Sequence, residues 1–301
     1  MKEGFIIIGG VHKAGTTSLY TYLSWHYDVC TSSIKETHFF SNDIYKSKYD
    51  EYGKFFKHKK NEHFCVEASP EYLYGKFETA KKISAELENV KIIFVLRNPV
   101  EKIISSFNHK KKKLLIKNEI DFKQYAQENF SFKSLKECAL SNSEIAKELL
   151  EGSYIDYLPD WFEVFEKSNI QIIFFDDLVA NTFDVMKKIC KFSGIDYKPY
   201  QSAQFSIENK STSFKYKNIH YIAIKLYSLL EPIMRKNYRL KKVISGIYYK
   251  FNSKDKTDNF DEITISKLSN LYVDSNKELK EFLINNKYKD FPDWLIDHEN
   301  I

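Results

Sequence analysis

The first residues that could do chemistry lie in a glycine-containing turn close to the N-terminus. Residues 6–23 read IIIGGVHKAGTTSLYTYL, in which an apolar stretch precedes the glycines and a helical pattern follows them. Backbone N–H groups in the first turn of a helix have no intrahelical partners, and the helix dipole adds partial positive charge there. The turn is therefore predicted to bind an anion.

Consecutive residues of this turn are expected to contact the anion, namely Lys13, Ala14, Gly15, Thr16, Thr17 and Ser18. Gly15 lets the backbone approach the ligand closely, the three hydroxyls that follow are donors, and Lys13 supplies a mobile ammonium. An ATP-binding loop has the form GxxxxGK[ST], and the spacing from Gly10 to Gly15 agrees with it. However, Thr16 stands where that form has its lysine, which counts against ordinary nucleoside triphosphate chemistry.

Strands and helices alternate along the chain, and they must position this turn. Short apolar stretches predict strands at residues 5–8, 64–67, 91–96 and 171–175. Helical patterns predict helices at residues 16–26, 77–88, 99–112, 154–167 and 178–193, with Asn98 as the N-cap of the third. Strands that are apolar throughout and alternate with helices are typical of a parallel sheet covered on both faces. We therefore expect an α/β fold with a P-loop-type parallel β-sheet flanked by helices.

The chain is expected to form a single domain over residues 1–301, with an α/β core at 1–197 and a largely helical C-terminal extension at 198–301. Within this extension, residues 219–251 and 263–286 have helical spacing, and Pro232 interrupts the first of them. The polar, weakly periodic residues from 110 to 144 predict an insertion or a lid.

Composition excludes several classes of protein. The net charge of +5 suits an anionic ligand but is too small to predict nucleic-acid binding. The four cysteines form no CxxC pair, so we expect buried reduced thiols and no metal site. No apolar stretch approaches the ~20 residues of a membrane-spanning helix, and no signal-peptide pattern precedes the first strand. We therefore expect a cytoplasmic protein.

Three further segments follow the predicted strands and helices in a distinctive order. They are KETHFF at 35–40, VEASPEYL at 66–73 and FVLRNPVEKIISSFNH at 94–109. In order and spacing they resemble the PAPS-dependent sulfotransferase family, most closely its carbohydrate (heparan-sulfate-type) branch. GSYIDYLPDWFEVFEKSNIQIIFFDDL at 152–178 and KICKFSGI at 188–195 look like later segments of the same family. The resemblance covers roughly residues 4–195, and NKSTSFKYK at 209–217 is similar to the family's last cofactor-gripping loop.

The resemblance implies a donor, 3′-phosphoadenosine 5′-phosphosulfate (PAPS), whose 5′-phosphosulfate would occupy the turn without a metal. Lys13 would then lie beside the bridging oxygen, where charge develops as the sulfonyl group leaves. Arg97 ends a strand at the carboxyl edge of the sheet, where a guanidinium can bind a phosphate through two bonds. The family has an arginine and a serine at the interval of Arg97 and Ser105, which we assign to the 3′-phosphate. Ser211, Lys215 and Lys217 could close over the donor, although a lysine-rich surface loop explains them as well.

The resemblance also implies catalytic residues. Glu36 is the expected general base, Lys35 beside it could stabilise the sulfonate oxygens, and His38 is a rival base or a residue that orients the acceptor. One departure from the family lies in the segment VEASP, where many animal polysaccharide members have a lysine and this chain has Ala68. Lys35 could replace that cation, and an acceptor other than a heavily sulfated glycan is suggested.

The expected function is sulfonyl transfer from PAPS to a hydroxyl of a carbohydrate or glycolipid acceptor. The main alternative is a P-loop kinase of a small metabolite, with Asp176 or Asp177 after IIFF as a magnesium ligand. A binding module that kept the nucleotide site without turnover is a third reading. Basic residues at 235, 239, 241 and 242 could make peripheral contact with the inner membrane surface, or their helix could pack on the core. The oligomeric state stays open.

Overall fold

The computed structural model describes residues 4–41, 49–117, 119–205, 212–214, 223, 253–255 and 261–296. Its central feature is a five-stranded parallel sheet. The strands are β1 (Gly4–Gly10), β2 (Val29–Thr31), β3 (Phe64–Ala68), β4 (Val90–Leu96) and β5 (Ile170–Phe174). They are ordered β2-β3-β1-β4-β5, and every pairing is parallel. The predicted fold class is thereby confirmed.

Helices make up much of the rest of the described residues. They are α1 (Thr16–Leu23), α2 (Tyr49–Gly53), α3 (Lys76–Glu86), α4 (Pro99–Lys112), α5 (Phe122–Asn129), α6 (Leu135–Ala139), α7 (Glu144–Leu150), α8 (Leu158–Val164), α9 (Phe175–Ala180), α10 (Thr182–Ser193), α11 (Glu262–Leu271) and α12 (Val273–Asn285). Short 3₁₀ turns lie at Lys54–Phe56, Pro70–Gly75, Tyr154–Asp156, Lys167–Asn169, Lys198–Tyr200 and Asp293–Leu295. A small antiparallel pair consists of β6 (Thr212–Phe214) and β7 (Ser253–Asp255).

The core lies on both faces of the parallel sheet. All seven residues of β1 are buried, as are six of the seven residues of β4. Trp161 is fully buried, packs edge-on against Phe94 at 5.0 Å between ring centroids and donates its indole N–H to the carbonyl of Leu73. Because the indole has a partner, the largest side chain of the core is buried without an unsatisfied donor.

Most predicted elements of the core are found, with instructive exceptions. Helix α4 has the predicted bounds, and Oδ1 of Asn98 accepts from the N–H of Val100 at 2.9 Å, which confirms the predicted N-cap. Strand β2 was not predicted, because three residues of mixed polarity carry no readable period. The predicted helix 154–167 is wrong at both ends: a 3₁₀ turn precedes α8, and an extended Phe165 ends it.

Two other predicted helices are each divided into two. The helix predicted at 178–193 is interrupted at Asn181, whose φ of −144° is not helical. The helix predicted at 263–286 is interrupted at Tyr272, a residue that is 1% exposed and donates its hydroxyl to the carbonyl of Leu149. Tertiary contacts of this kind outweigh helical periodicity.

Contacts within the chain define two compact units. The first contains the parallel sheet and consists of Met1–Lys102, Phe132–Asn209 and Leu268–Ile301. The second consists of Ile103–Ser131 and Lys210–Lys267, and it includes α5, with Phe107 packed on Phe122 and Tyr125. The prediction of a single domain with core 1–197 and extension 198–301 stays a prediction. The predicted loop 209–217 and helix 219–251 lie outside the described residues, apart from 212–214 and 223.

All four cysteines are buried and free of disulfides, as the sequence predicted. Within the described ranges, no helix is long and apolar enough to cross a bilayer. In the same ranges, no group of three or more acidic, histidine or cysteine side chains could hold a metal ion.

Candidate active site

The glycine-containing turn has the shape that anion binding requires. Strand β1 ends at Gly10 and α1 begins at Thr16, with Gly15 as N-cap at φ +78°. A Cβ on Gly15 would meet side-chain atoms of Leu178 and Phe175 at 3.1 Å, so both the backbone conformation and the space favour glycine. The predicted residues from Lys13 to Ser18 are thus brought to the N-terminus of one eight-residue helix, where backbone N–H groups can bind an anion.

Arg97 fixes this turn from the neighbouring strand. Its Nη1 donates to the carbonyl of Lys13 at 2.9 Å, and its guanidinium lies 4.3 Å from the ring centroid of Phe175. Its Nε donates to Glu101 at 3.2 Å, while Tyr154 donates a 2.6 Å hydrogen bond to the Arg97 carbonyl. In the part of the chain that the structure describes, Nη2 of Arg97 has no hydrogen-bond partner, so donors remain for a phosphate.

The other predicted donor contacts are Ser105 and three residues of the predicted loop 209–217. Ser105 is a half-buried residue of α4 that belongs to the second compact unit. Ser211, Lys215 and Lys217 lie outside the described residues. Their roles stay predictions.

The segment KETHFF lies along the residues that follow β3. The N–H of Glu36 donates to the carbonyl of Ala68 at 3.1 Å, and the N–H of His38 donates to Oγ of Ser69 at 3.3 Å. Strands β2 and β3 are neighbours in the sheet, so the segments after their carboxyl ends meet. This pairing places the two predicted bases, Glu36 and His38, at the same edge of the sheet as the anion turn.

Carboxylates pair with the cations of this segment. Nζ of Lys35 lies 2.5 Å from Oε1 of Glu36, and Nδ1 of His38 lies 2.6 Å from Oε1 of Glu71. Burial raises the pKa of Glu36, but the charges of Lys35, His12 and His38 outweigh this, and the pKa lies below its usual value. Glu36 is therefore ionised at neutral pH and can accept a proton.

Electrostatic coupling through His12 links the anion turn to Glu36. His12 stacks on Tyr74 with 5.8 Å between ring centroids, in agreement with a packing role in the turn. Burial lowers the pKa of His12, and the charges of Glu71 and Glu36 act on it in the opposite direction. Ala68, which accepts from the N–H of Glu36, lies opposite Ile8 of β1, so the predicted base and the strand that leads to Lys13 end at the same edge of the sheet.

A buried ion pair supports the same region. Lys102 of α4 is 2% exposed and binds Glu151 at 3.0 Å, and its ammonium lies 5.9 Å from the ring centroid of Tyr74. Glu151 and Lys102 also act on the pKa of His12. The two opposite charges of this pair therefore act in opposite directions on the pKa of His12 in the anion turn.

Sequence reasoning missed four residues that shape this site. Glu71 binds His38, Glu67 binds Thr37, Phe175 stacks on Arg97, and Tyr154 holds the Arg97 carbonyl. Only Glu67 carried a readable signal, because it is a carboxylate inside a strand predicted to be buried on both faces. The other contacts join segments that are far apart in the sequence.

The family of the chain follows from comparison with known proteins. The family model for the sulfotransferase domain matches residues 4–281. The chain belongs to this family. The predicted family and class of enzyme are therefore confirmed, and PAPS is the donor expected for this sulfotransferase.

Relatives of this sulfotransferase act on different acceptors. A bifunctional heparan sulfate N-deacetylase/N-sulfotransferase of Drosophila melanogaster is 25% identical over 62% of this chain and 19% of its own length. A 3-beta-hydroxysteroid sulfotransferase of Cavia porcellus is 24% identical over 41% of each chain. The chain therefore spans less than half of these relatives' length.

A solved structure has the same fold. A sulfotransferase from Alicyclobacillus acidocaldarius has a TM-score of 0.55 and 21% identity, covering 80% of this chain and 96% of that one. The family match favours sulfonyl transfer over the kinase alternative.

Proposed function

We propose that this sulfotransferase transfers a sulfonyl group from PAPS to a hydroxyl of a carbohydrate or glycoconjugate acceptor. The observation that carries the proposal is the hydrogen bond from the N–H of Glu36 to the carbonyl of Ala68, because Ala68 lies opposite Ile8 of β1, the strand that leads into the anion turn. Transfer of this kind needs a base for the hydroxyl proton and a stabilised leaving group, placed on opposite sides of the sulfur.

On the donor side, the turn binds the phosphosulfate. Backbone N–H groups of Thr16, Thr17 and Ser18 and the ammonium of Lys13 face the charge that develops on the leaving phosphate. Arg97 holds the carbonyl of Lys13 and offers Nη2 to a phosphate of the donor. Ser105, Ser211, Lys215 and Lys217 keep their predicted roles as additional donor contacts.

On the acceptor side, Glu36 removes the proton. The hydroxyl oxygen attacks sulfur, the bond from sulfur to the bridging oxygen breaks, and 3′-phosphoadenosine 5′-phosphate (PAP) leaves with the electron pair. The hydroxyl proton passes to the Glu36 carboxylate, which Lys35 keeps ionised beforehand. Lys35 can then turn towards the sulfonate oxygens. In this position it would replace the lysine that many family members have where this chain has Ala68.

His38 is the second candidate for the base. Its Nδ1 is bound to Glu71, which leaves Nε2 as the nitrogen that can face an acceptor. A carboxylate that orients the ring in this way is a feature of histidine bases. We assign His38 to orientation of the acceptor, because the family resemblance implies Glu36 as the base and the Glu36 carboxylate is already ionised.

The charges around Glu36 favour an uncharged, polar acceptor. Lys35 and Lys102 each have a carboxylate partner. A cation that is already paired contributes less to binding a sulfate or uronate, whereas paired charges still hydrogen-bond to sugar hydroxyls. This supports a neutral glycan or glycolipid over a heavily sulfated polymer, and a sugar over an apolar alcohol such as a steroid.

The cellular setting is part of the proposal. We infer a cytoplasmic enzyme that reaches glycolipid acceptors at the inner membrane surface. The support is the cluster of basic residues in the sequence, Arg235, Arg239, Lys241 and Lys242.

Transfer of radiolabelled sulfonyl from PAPS to a panel of acceptors tests the function. The panel contains a neutral oligosaccharide, a glycolipid, an N-sulfated heparan fragment and a hydroxysteroid. We expect product with the first two at the highest kcat/KM. Highest kcat/KM with the heparan fragment or the steroid would refute the acceptor class, and transfer of phosphate from ATP would refute the reaction.

A further inference from the structure

Glu67 is a carboxylate in the interior of the parallel sheet. It belongs to β3, lies opposite Ile7 of β1 in the strand register and is 0% exposed. Moving a carboxylate out of water is costly unless its oxygens are hydrogen-bonded. One oxygen, Oε2, accepts from the hydroxyl of Thr37 and, at 3.5 Å, from that of Ser69, while Oε1 has no hydrogen-bond partner in the residues that the structure describes. Because burying this side chain is costly, we expect the contacts of Glu67 to point to a function that explains its position.

A series of hydrogen bonds leads from the segment KETHFF to Glu67. The N–H of Phe40 donates to the hydroxyl of Tyr72 at 3.3 Å, and this hydroxyl lies 3.2 Å from Oγ1 of Thr37. The N–H of Phe39 donates to the same Oγ1 at 3.3 Å. An ionised Glu67 can only accept, so Thr37 must donate to it and receive from the others. The carboxylate therefore fixes the direction of the whole series.

Thr37 lies between the two residues proposed to act on the acceptor. Glu36 has φ +64° and His38 has φ +55°, a region that residues other than glycine rarely adopt. Such conformations persist where surrounding contacts determine them. The N–H groups of Glu36 and His38 donate to Ala68 and Ser69, the two residues that follow Glu67, so the segment is fixed at three successive positions.

We propose that Glu67 is a positioning residue: by accepting the hydroxyl of Thr37, it holds the turn that presents Glu36 and His38 to the acceptor. This inference rests on the proposed function, in which Glu36 is the base. It extends that function by one residue that does not contact the reacting atoms.

Groups on several elements face Glu67 and tune its charge. They are Thr37 of the segment KETHFF, Tyr72 and Glu71 of the turn after β3, Tyr52 of α2 and Tyr20 of α1. Burial, with the charge of Glu71, raises the pKa of Glu67 to about 7, although the hydroxyls of Thr37, Tyr72 and Tyr52 lower it. Below that pH the neutral carboxyl can itself donate, and the direction of the series is no longer fixed. The proposal thus predicts that kcat rises as Glu67 ionises.

The test compares Glu67→Gln, Thr37→Val and the double variant with the wild type. We expect each single variant to lower kcat about tenfold at about pH 8, and the double variant to lower it no further, because Gln no longer fixes the direction of the Thr37 hydrogen bond and Val removes that same bond. Calorimetric affinity for PAP should stay within about twofold, since the donor site is separate. Near pH 6, where wild-type Glu67 is also neutral, Glu67→Gln should approach wild-type kcat.

Thr37→Ser is the matched control, because it keeps the hydroxyl, and it should retain wild-type kcat at about pH 8. Full kcat in Thr37→Val would overturn the proposal, as would a Glu67→Gln deficit that is equal at both pH values. If Glu67→Gln does not fold, the comparison of kcat between Thr37→Val and Thr37→Ser tests the proposal by itself.

Glu36→Gln separates this inference from the function on which it rests. If Glu36→Gln retains full rate, the base assignment fails, whatever Glu67 does. If Glu36→Gln is inactive while Thr37→Val is fully active, only the positioning role fails.

Discussion

The guanidinium of Arg97 donates a 2.9 Å hydrogen bond from Nη1 to the carbonyl of Lys13, 84 residues earlier in the chain. Lys13 has φ +66°, so this contact holds a backbone conformation that is unfavourable for a lysine. A residue assigned from the sequence to a phosphate therefore also supports the turn that binds the phosphosulfate. Both roles depend on the planar guanidinium group of Arg97, which has several N–H donors.

Replacing Arg97 should weaken donor binding. For Arg97→Ala we expect the Kd for PAP to rise by about one to two orders of magnitude, the usual loss for a hydrogen bond to a charged group. Titration calorimetry measures this directly. Glu101→Gln is the control, because it removes only the ion pair at 3.2 Å and should leave the Kd within about twofold. An unchanged Kd in Arg97→Ala would exclude a contact with the donor.

Lys13 should act on the rate more than on binding. Lys13→Ala is expected to lower kcat by about two to three orders of magnitude, because the ammonium stabilises charge that appears only as the leaving group departs. Steady-state kinetics with saturating PAPS measures the loss, and the exposed Lys57 provides a control substitution to alanine. A loss confined to KM would show that Lys13 merely binds the donor.

The two candidate bases can be distinguished by paired variants. Glu36→Gln should lower kcat by about two to three orders of magnitude and leave PAP affinity nearly intact, since it removes the proton acceptor. His38→Gln should lower kcat by less than Glu36→Gln does, and it should raise KM for the acceptor. The exposed Glu163, replaced by Gln, is the matched control. If His38→Gln were inactive and Glu36→Gln active, the base would be His38.

The buried carboxyl of Glu67 should make stability depend on pH. Its folded-state pKa of about 7 lies above the unfolded value near 4.5, so protonation favours the folded state. This contribution to stability is fully present below about pH 4.5 and is lost as pH rises through about 7. Over that range the free energy of unfolding falls by at most about 1.4 kcal/mol per pH unit. The free energy of unfolding of the wild type relative to Glu67→Gln should therefore fall between about pH 5 and pH 8. Urea denaturation at several pH values measures the difference, and a constant difference would mean that Glu67 does not titrate in this range.

Ligand preference provides a test of the donor that needs no acceptor. Thermal shifts with PAP, ADP and ATP should rank PAP first, because a ligand that binds the folded state raises the melting temperature by mass action. The 3′-phosphate distinguishes PAP from ADP. The Arg97→Ala variant should lose most of the PAP shift and little of the ADP shift. A larger shift with ATP than with PAP would contradict the assigned donor.

The order of elements was predictable because it depends on local patterns. Apolar stretches identified β1, β3, β4 and β5, and Asn98 followed by proline identified the start of α4. The divided helices and the 3₁₀ turns were not predictable. Their interruptions arise from long-range contacts, such as that of Tyr272 with Leu149, which sequence periodicity does not contain.

The sequence by itself determined the anion turn, the candidate base and the family, because these depend on residue types at fixed local spacing. Only the tertiary structure decided which side chains support them. The contacts of Arg97 with Lys13, of His38 with Glu71 and of Thr37 with Glu67 join segments from different strand ends. Such contacts arise only when parallel strands bring their carboxyl ends to one edge, and burial then sets the charge of each group.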